Sequence, residues 1–522
     1  MKFIAGIDRE QALLLPERVE DYVGQDASVR FLDAFVDGLA LGQYGLSRCK
    51  PAVTGRPGYA PCDMIKLYLW GYLNKVESSR GLERECLRNL ELIWLLRRLA
   101  PDFKTIADFR KDNAKAFKQV FRDFNLVCHE LDLFGAQLVA IDGTKLKAVN
   151  AIDRNHNQAK LAERLKRIDE RLEEFLSRLE TADSCEAEAA AQALTVQGLQ
   201  QKLQALREAR GHWQQKLERL KESGESELSE TDPESRAMRK VGVGYNGQIA
   251  VDSKHHLIAA VDVVADAQDY HQLSSMATQA KEQLGVETLK VVADMGYYNH
   301  GELARCERAG VETYVPRPQK GSAEAAGLYG KKDFEYDEES DCYRCPNGAR
   351  LKAGCRFQKE GEPHVRYENP AACKRCPLKS KCTAGPHRTV TRHQEEAAAD
   401  RMHERVRANP GVIVRRKALV EHVFGTMMFW MKQRTLLTRG LEKVRGEFAL
   451  TALAYNIKRV INLVGIDQLL KSVALMRKKG GVQGRQAARK SGLQGLLPAW
   501  LAKVASFVSL FEPTPVFSDF RA

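Results

Sequence analysis

Two largely apolar segments of the sequence each run into an aspartate. The segment LVAI leads directly to Asp142 (LVAIDGTK), and LKVVA leads to Asp294 (LKVVADMG). Short apolar segments of this length are typical of strands buried inside a sheet. A single aspartate at a strand end is usually a turn former or a helix cap. Two such strands, each ending at a carboxylate, suggest a chemical role instead.

The pattern around these segments predicts an α/β core. Val243–Asp252 and Leu257–Val264 read as two strands joined by a turn, which predicts an antiparallel hairpin. Asp269 is expected to cap a helix that ends at Leu284, and a further helix is expected over 301–309. The order strand, strand, strand, helix, strand, helix matches a ribonuclease H-like α/β fold.

The segments outside this core have different patterns. Residues 1–134 read as mostly helical. Residues 158–222 carry two leucine series at heptad spacing and predict an antiparallel helical hairpin, either a dimerisation or DNA-clamping arm or a self-contained structural insertion. Residues 223–236 are polar without a period and are expected to form a linker. Residues 466–522 are expected to form a basic, flexible tail.

The net charge of +13 and the pI of about 9.1 bear on the partners of the chain. An excess of lysine and arginine favours phosphate-rich polymers, because neutralising phosphates releases condensed counterions. The sequence shows neither a long apolar segment nor the apolar block of a signal peptide, so we expect a cytoplasmic protein that does not contact the membrane. In a reducing compartment, its cysteines favour metal binding or burial over disulfides.

The two aspartates predict a metal site. Neighbouring strands lie about 4.8 Å apart, so Asp142 and Asp294 would emerge together at one edge of the sheet. Carboxylates there can hold two magnesium ions about 3.5–4 Å apart around a phosphate. The candidate for a third acid is Glu421, at the margin of an apolar helical stripe. Other acids, Asp252, Asp262 and Asp266, also lie near the predicted strands.

Several motifs together give the chain a resemblance to a known family. They are Arg56-Pro-Gly-Tyr with Met64-Ile-Lys-Leu, Ala140-Ile-Asp-Gly-Thr-Lys, Gly242-Val-Gly-Tyr-Asn-Gly-Gln, Val292-Ala-Asp-Met-Gly-Tyr-Tyr-Asn, Val420-Glu-His-Val-Phe-Gly-Thr, and Gly440-Leu-Glu-Lys-Val-Arg with Ala454-Tyr-Asn-Ile-Lys-Arg. Over roughly residues 20–465 the chain resembles the DDE transposases of bacterial insertion sequences with an InsH-like N-terminal domain. The resemblance implies a helical DNA-binding domain over 1–134 and a ribonuclease H-like catalytic domain over 135–465, interrupted by the hairpin and by a cysteine-rich insertion over 319–400.

The resemblance also implies a mechanism. The catalytic, metal-binding triad falls on Asp142, Asp294 and Glu421, with two Mg²⁺ (or Mn²⁺) ions. The implied reactions are hydrolysis at the end of the element and attack of the resulting 3′-hydroxyl on target DNA. The expected partners are double-stranded DNA, both element ends and target, and further copies of the chain assembled on that DNA. When bound there, the protein would be associated with the nucleoid.

Basic residues near the third acid are expected to bind DNA. They are Arg415, Arg416, Lys417, Lys432, Lys458 and Arg459. Family members often carry a lysine seven residues after the glutamate, where this chain has Met428. Lys432, one helical turn later, is the expected substitute. Two alternatives are left open: a nuclease on the same fold and triad that cuts without joining, and a degenerate copy that only binds DNA, which the departure at Met428 would allow.

Six cysteines lie between residues 342 and 382, and they include two Cys-x2-Cys pairs. Each pair can bind one side of a metal ion, and four thiolates complete a tetrahedral zinc site. The resembling family favours Cys345, Cys373, Cys376 and Cys382 as the ligands. Such a zinc ion would be structural, since it has no open coordination position. The alternative is a reduced insertion without metal.

Overall fold

A computed structural model describes residues 18–47, 58–150, 152–183, 189–318, 327–359 and 361–478 of the chain. The N-terminal part is helical, as the sequence predicted. Its helices are α1 (Ser28–Asp37), α2 (Pro61–Leu73), α3 (Ser79–Arg88), α4 (Leu90–Leu95), α5 (Phe103–Asp112) and α6 (Ala114–Glu130). Residues 63–72 of α2 are all buried, because this helix is apolar nearly all round and lies between other helices.

A mixed six-stranded sheet forms the centre of the molecule. Its strands are β1 (Leu138–Lys147), β4 (Arg236–Met238), β5 (Gly242–Asp252), β6 (Ile258–Val264), β7 (Leu289–Val292) and β8 (Val311–Tyr314). The order across the sheet is β4-β5-β1-β7-β8, and β6 also pairs with β5. The strand β1 is antiparallel to β5 and parallel to β7, which is parallel to β8. The prediction of a mixed α/β chain with a helical N-terminal region is confirmed.

Two helices connect β6 to β8 through β7. They are α9 (Leu273–Leu284), which follows β6, and α10 (His300–Arg308), which follows β7. The helix α9 ends at Gly285, whose φ of 65° places it in the left-handed region that glycine adopts without strain. Parallel pairing of β1 with β7 requires such crossovers, because a tight turn can join only antiparallel strands.

A long helical hairpin lies between β1 and β5. Its strands and helices are β2 (Asn155–Asn157), α7 (Gln158–Asp183), α8 (Ala189–Ser223) and β3 (Glu227–Ser229). The helices run antiparallel, since Asp169 of α7 accepts a 2.6 Å bond from Arg210 of α8 and β2 pairs antiparallel with β3. The predicted linker over 223–236 is wrong. It contains β3 and the fully buried Asp232, which accepts a 2.7 Å hydrogen bond from Tyr245.

A second sheet of five antiparallel strands lies in the cysteine-rich region. Its strands are β9 (Glu335–Asp337), β10 (Cys342–Arg344), β11 (Arg350–Lys359), β12 (Glu362–Glu368) and β13 (Thr389–His393). Two short helices, α11 (Pro370–Lys374) and α12 (Lys379–Cys382), lie between β12 and β13. The sheet has its own apolar cluster of aromatic and aliphatic side chains, which includes Phe334, Tyr343 and Tyr367.

Three helices complete the described chain. They are α13 (Glu396–Ala408), α14 (Pro410–Gly425) and α15 (Leu441–Lys478), with a π-helical turn Thr426–Trp430 after α14. The helix α15 is interrupted at Gly465, whose φ is 77°. Beyond it Leu469 and Val473 are buried, so the predicted flexible tail begins as packed helix because these apolar residues find a partner in the core. Residues 479–522 lie outside the described part.

Within the residues described, no helix combines the length and the apolar character needed to cross a bilayer.

Candidate metal and DNA site

The structure places Asp142 within a strand and not at its end. The strand β1 continues for five residues beyond Asp142, and Asp142 lies opposite Ile249 of β5. The prediction of a strand-end Asp142 is therefore wrong, because pairing with the long β5 holds β1 in sheet geometry as far as Lys147. On the other side of β1 the pairing with β7 ends at Val292, opposite Ala140. The Asp142 side chain thus lies where the sheet becomes one strand narrower.

Asp294 follows the end of β7 by two residues, as the sequence predicted for this acid. It caps the 3₁₀ turn Met295–Tyr297, and its Oδ1 accepts a 2.8 Å hydrogen bond from the backbone N–H of Gly296. A helix-start carboxylate of this kind is a common local motif. Its position beside the narrowed edge of the sheet also brings it near Asp142.

Asp142 is held by two donors. Its Oδ1 accepts a 2.8 Å bond from the backbone N–H of Gly143, and its Oδ2 accepts a 2.9 Å bond from Nη1 of Arg416 on α14. Burial raises the pKa of Asp142 to about 6. The guanidinium of Arg416 and the Gly143 N–H oppose that rise, and the carboxylates of Asp294 and Asp269 add to it. Two further acids therefore lie close enough to Asp142 to affect its charge.

Asp269 is the acid that the sequence analysis missed. The helix α9 begins at Leu273, so Asp269 is not its cap. Its Oδ1 instead accepts hydrogen bonds from Asn246 (2.7 Å) and Gln248 (2.6 Å), and it lies 3.5 Å from the ammonium of Lys145. One feature of the sequence could have indicated this site. Asn246 and Gln248 are two residues apart, so their amides lie on the same face of β5 and can bind one carboxylate.

Tyr297 lies near these acids. Its hydroxyl donates a hydrogen bond to Oε1 of Gln248. Burial raises the pKa of the hydroxyl well above its ordinary value, and the negative charges of Asp269, Asp142 and Asp294 raise it further, in that order of size. One buried hydroxyl therefore lies within electrostatic reach of all three carboxylates.

Two glycines give these carboxylates room. A Cβ on Gly143 would lie 2.6 Å from Oδ1 of Asp269 and 2.5 Å from Nε2 of Gln248, both closer than a Cβ tolerates. A Cβ on Gly296 would lie 3.0 Å from Oδ1 of Asp294 and 4.0 Å from Oδ2 of Asp269. Glycine inside a strand often marks such a close approach. The carboxylate of Asp269 therefore lies between the two glycines that follow Asp142 and Asp294.

Glu421 does not join this group in the structure. Its side chain is 61% exposed and lies 3.8 Å from the ammonium of Lys417. Five residues separate it from Arg416, which is about 140° and 7.5 Å along an α-helix, so α14 cannot present both residues to Asp142. The neighbouring His422 lies near His256, in the turn between β5 and β6. In this structure Glu421 therefore does not converge with Asp142 and Asp294, and its place in the triad stays a prediction.

The predicted DNA-binding residues fall into two groups. Arg415, Lys417 and Lys432 are exposed. Arg416 is only 20% exposed and is engaged with Asp142, so it is not free for DNA in this arrangement. Met428, at the position where the resembling family often has a lysine, is buried in the π-helical turn.

Lys458 and Arg459 lie beside two aromatic side chains that the sequence analysis did not single out. Phe429 is 71% exposed and Trp430 is 44% exposed. The ammonium of Lys458 lies 3.3 Å from the centroid of a Trp430 ring, and that of Lys75 lies 3.6 Å from it. Arg459 donates a 2.9 Å bond to the His255 carbonyl. A cavity of about 660 Å³ opens among these side chains.

The other acids considered from the sequence have structural roles. Asp252 is fully buried and accepts bonds from the backbone N–H groups of Gly135, Ala136 and Lys254. Asp262 lies between Lys118 and Arg445. Asp266 accepts a 3.1 Å bond from Gln272 at the start of α9.

Four of the six clustered cysteines lie near one another. The pKa of the Cys382 thiol is raised by burial and, beyond the opposing effect of Arg388, by the thiols of Cys373, Cys345 and Cys376. The four neighbouring thiols are the set that the resemblance favoured.

Neither the acids nor the thiols are arranged as a closed metal centre. In the part of the chain that the structure describes, no three His, Cys, Asp or Glu side chains are placed to hold one ion together. Instead of an ion, the guanidinium of Arg416 balances the charge of Asp142, and the ammonium of Lys145 balances the charge of Asp269.

Comparison with known proteins identifies the class. The profile of the family described as "Transposase domain (DUF772)" matches residues 17–112, and that of "Transposase DDE domain" matches residues 344–461. Both are transposase families, so these matches support a transposase. The second narrows the class to a DDE-type transposase, and the resemblance found in the sequence is confirmed. Glu421 lies inside that match, whereas Asp142 and Asp294 lie outside it.

No curated protein matches the chain. One solved structure, of a piggyBac transposase synaptic complex with hairpin DNA, is 10% identical and covers 95% of this chain and 87% of its own. Its TM-score of 0.27 is too low to establish a shared fold.

Proposed function

We propose that this transposase binds the terminal inverted repeats of an insertion sequence and catalyses metal-dependent DNA cleavage and strand transfer. The observation that carries the proposal is the meeting of Asp142 and Asp294 at the edge where β7 ends. Two carboxylates from separate strands, in a chain that matches a DDE domain, support a phosphoryl-transfer site. The sheet order, with β1 between β5 and β7, supports a ribonuclease H-like fold for this domain.

The donor set suits a hard divalent ion. Carboxylate oxygens are the ligands that Mg²⁺ prefers, and Mn²⁺ accepts the same set. Asp142 and Asp294 would hold the metal, which would activate the attacking oxygen and offset charge on the phosphate. The backbone N–H groups of Gly143 and Gly296 each fix one oxygen of an aspartate. The remaining oxygen of Asp142 becomes free only when Arg416 releases it.

Both proposed reactions use the same displacement at phosphorus. In the first, water attacks the phosphorus at the element end and the bond from phosphorus to the 3′-oxygen breaks. The attacking water loses a proton, and the 3′-oxygen gains one and leaves as a 3′-hydroxyl. In the second, that hydroxyl attacks a target phosphodiester and displaces another 3′-oxygen. One in-line site therefore serves both steps. Glu421 would add a further acid if α14 turns when DNA or metal binds, which would also withdraw Arg416 from Asp142.

A basic and aromatic surface beside α14 supports DNA binding. Lys75, Lys458 and Arg459 supply positive charge next to Phe429 and Trp430. Cations of this kind neutralise phosphates, and exposed aromatic rings stack on bases. Arg415, Lys417 and Lys432, all exposed, would extend the surface along α14 and its end. Assembly of several copies on the two element ends remains part of the proposal.

We also propose that Cys345, Cys373, Cys376 and Cys382 bind a structural zinc ion. Their mutual proximity supports this set, and the backbone N–H of Cys376 bonds to the carbonyl of Cys373, a turn typical of zinc-binding cysteine pairs. Small closure of the loops between β10 and β13 would bring the four thiols to one ion. The zinc would then hold α11 and α12 against the second sheet.

The proposed function is tested with labelled element ends, Mg²⁺ and a supercoiled target plasmid. The wild-type protein is expected to produce joined product. Asp142→Asn is expected to bind the ends and make no cut, because its side chain lacks the second anionic oxygen. Asp467→Asn, an exposed acid on α15, is the matched control and is expected to act like the wild type.

The products also separate the alternatives. Nicked ends without joining would indicate a nuclease, and a mobility shift without any cut would indicate a copy that only binds DNA. Cleavage by Asp142→Asn would remove Asp142 from the site and overturn the proposed mechanism.

A further inference from the structure

Asp269 is a third acid close to Asp142 and Asp294. It follows β6 by five residues, and its carboxylate lies between the glycines next to Asp142 and Asp294. A Cβ on Gly143 would meet its Oδ1, and a Cβ on Gly296 would approach its Oδ2. Asp269 is also the largest charge acting on the Tyr297 hydroxyl, ahead of Asp142 and Asp294. The three acids thus lie within electrostatic reach of one another and of the Tyr297 hydroxyl, whereas the Glu421 side chain is exposed on α14.

The Asp269 side chain is held in a fixed orientation. Asn246 and Gln248, both fully buried, donate to its Oδ1. Their two-residue spacing on β5 places both amides on one face, and the Tyr297 hydroxyl holds Gln248 from the other side. Its Oδ2 accepts no hydrogen bond from any residue in the described ranges. Hydrogen bonds to Oδ1 therefore fix the carboxylate, and its Oδ2 lies on the side of Gly296 and Asp294.

We propose that Asp269 is a third carboxylate ligand of the divalent metal at the Asp142–Asp294 site. The inference rests on the proposed function, because it takes the same metal. Lys145, 3.5 Å from Asp269, and Arg416, 2.9 Å from Asp142, neutralise the carboxylates in the absence of the ion. An arriving cation replaces that positive charge, and only side chains need to move. Metal binding at Glu421 would require a rotation of the whole α14 helix.

This assignment predicts a different order of events from that of a site built on Glu421. Asp142, Asp294 and Asp269 belong to the sheet and its connections, so they bind metal in the protein without DNA. Glu421 can join only after α14 has moved. The site is thus expected to bind an ion before the substrate arrives.

The test is Mn²⁺ binding to the DNA-free, full-length protein, measured by the loss of the electron paramagnetic resonance signal of free Mn²⁺. Asp269→Asn is expected to weaken Mn²⁺ binding at least tenfold, as is Asp142→Asn. Asp266→Asn is the matched control, since it is three residues away and bonds to Gln272. Asp269→Glu keeps the charge and is expected to recover part of the affinity, which a loss of folding would not allow.

The outcomes separate the two proposals. Wild-type affinity in Asp269→Asn together with weak binding in Asp142→Asn would overturn the role of Asp269 and leave the proposed function intact. Weak binding in Glu421→Gln with normal binding in Asp269→Asn would return the third position to Glu421. Equal Mn²⁺ binding by the wild type and Asp142→Asn would contradict the metal site as a whole. Circular dichroism melting of each variant checks that it is folded.

Discussion

Nη1 of Arg416 lies 2.9 Å from Oδ2 of Asp142, although 273 residues lie between them in the chain. The contact joins α14 to the central strand β1 and neutralises a carboxylate that burial would otherwise protonate more readily. It also blocks the oxygen that a metal ion would use. Arg416 is therefore a positioning residue for Asp142, and its removal has effects on both charge and metal access.

Replacing Arg416 by glutamine is expected to move the pH dependence of Mn²⁺ binding upward. Asp142 has a pKa of about 6, and Arg416 lowers it. Without the guanidinium the pKa rises, so the acid half of the binding profile shifts to higher pH. At pH 8, where the carboxylate is ionised in both proteins, Arg416→Gln is expected to bind Mn²⁺ at least as tightly as the wild type. A profile shifted to lower pH would contradict the electrostatic role of Arg416.

Asp142→Asn is expected to stabilise the metal-free protein at neutral pH. Folding raises the pKa of this acid from its ordinary value to about 6. The folded state therefore favours the protonated acid, and this contribution to the free energy of unfolding is complete below about pH 4 and is lost as the pH rises through about 6. At 1.36 kcal/mol per pKa unit the gain has a ceiling of about 3 kcal/mol, reduced by the lost bond to Arg416. Thermal melts in EDTA at pH 7.5 and 4.5 measure it.

The difference between Asp142→Asn and the wild type should shrink toward pH 4.5. Asp467→Asn, whose carboxyl is exposed, is the control. A variant less stable than the wild type at pH 7.5 would show that Asp142 is mainly a structural acid.

Gly143→Ala is expected to disrupt the arrangement of the acids more than it affects the fold. The new methyl would lie 2.5 Å from Gln248 and 2.6 Å from Asp269, so the carboxylate must move away from Asp142. Mn²⁺ affinity is expected to fall at least tenfold, as measured in the same resonance assay. Gly411→Ala, where an added Cβ meets no atom within 4 Å, serves as the control. Unchanged affinity in Gly143→Ala would mean that Asp269 can leave its position without consequence.

Lys458→Ala and Phe429→Ala are expected to weaken DNA binding in different ways. Loss of the lysine removes one phosphate contact. The plot of the logarithm of the binding constant against the logarithm of the salt concentration should therefore be less steep by about 1. Loss of the exposed ring should weaken binding with the slope unchanged, by about 1–3 kcal/mol if a base stacks on it. Fluorescence anisotropy with labelled element ends measures both, and Lys471→Ala on α15 is the control. Affinity equal to the wild type in both variants would move the DNA surface elsewhere.

Cys376→Ser is expected to remove bound zinc, whereas Cys355→Ser is expected to retain it. Cys355 is exposed on β11 and is not one of the four proposed ligands. Zinc content by mass spectrometry, after purification without chelators, measures the difference. A further check is the melting temperature. Chelation should lower it in the wild type and in Cys355→Ser, which bind zinc, but not in Cys376→Ser. Equal zinc content in both variants would exclude the proposed ligand set.

Local patterns predicted much of the fold. The buried strands β1 and β7, the β5–β6 hairpin and the two leucine-rich helices carry strong periodicity, and each element was expected near its observed position. The ordered structure within residues 223–236 was not recognised and was predicted as a linker, because Asp232 is buried by contacts with Tyr245 and with the Gly440 backbone, 208 residues away. Polar composition alone cannot show such a partner.

The candidate site was predictable only in part. Asp142 and Asp294 stand out because apolar strands lead into them. Asp269 gives no such signal, since its neighbours along the chain read as the start of a helix and its partners Asn246 and Gln248 lie on another strand. The position of Glu421 depends on the rotation of α14 about its axis, which a sequence pattern on one helix does not specify.

The pairing of Asn157 with Glu227 has a consequence for how this chain tolerates change. The two long helices between these residues begin and end at adjacent points of a small ribbon. These two helices form an insertion that could be removed. A short turn joining the paired ends of β2 and β3 would replace it at little entropic cost. The length of this hairpin can therefore change in evolution, or be shortened in the laboratory, while the register of β1 stays the same.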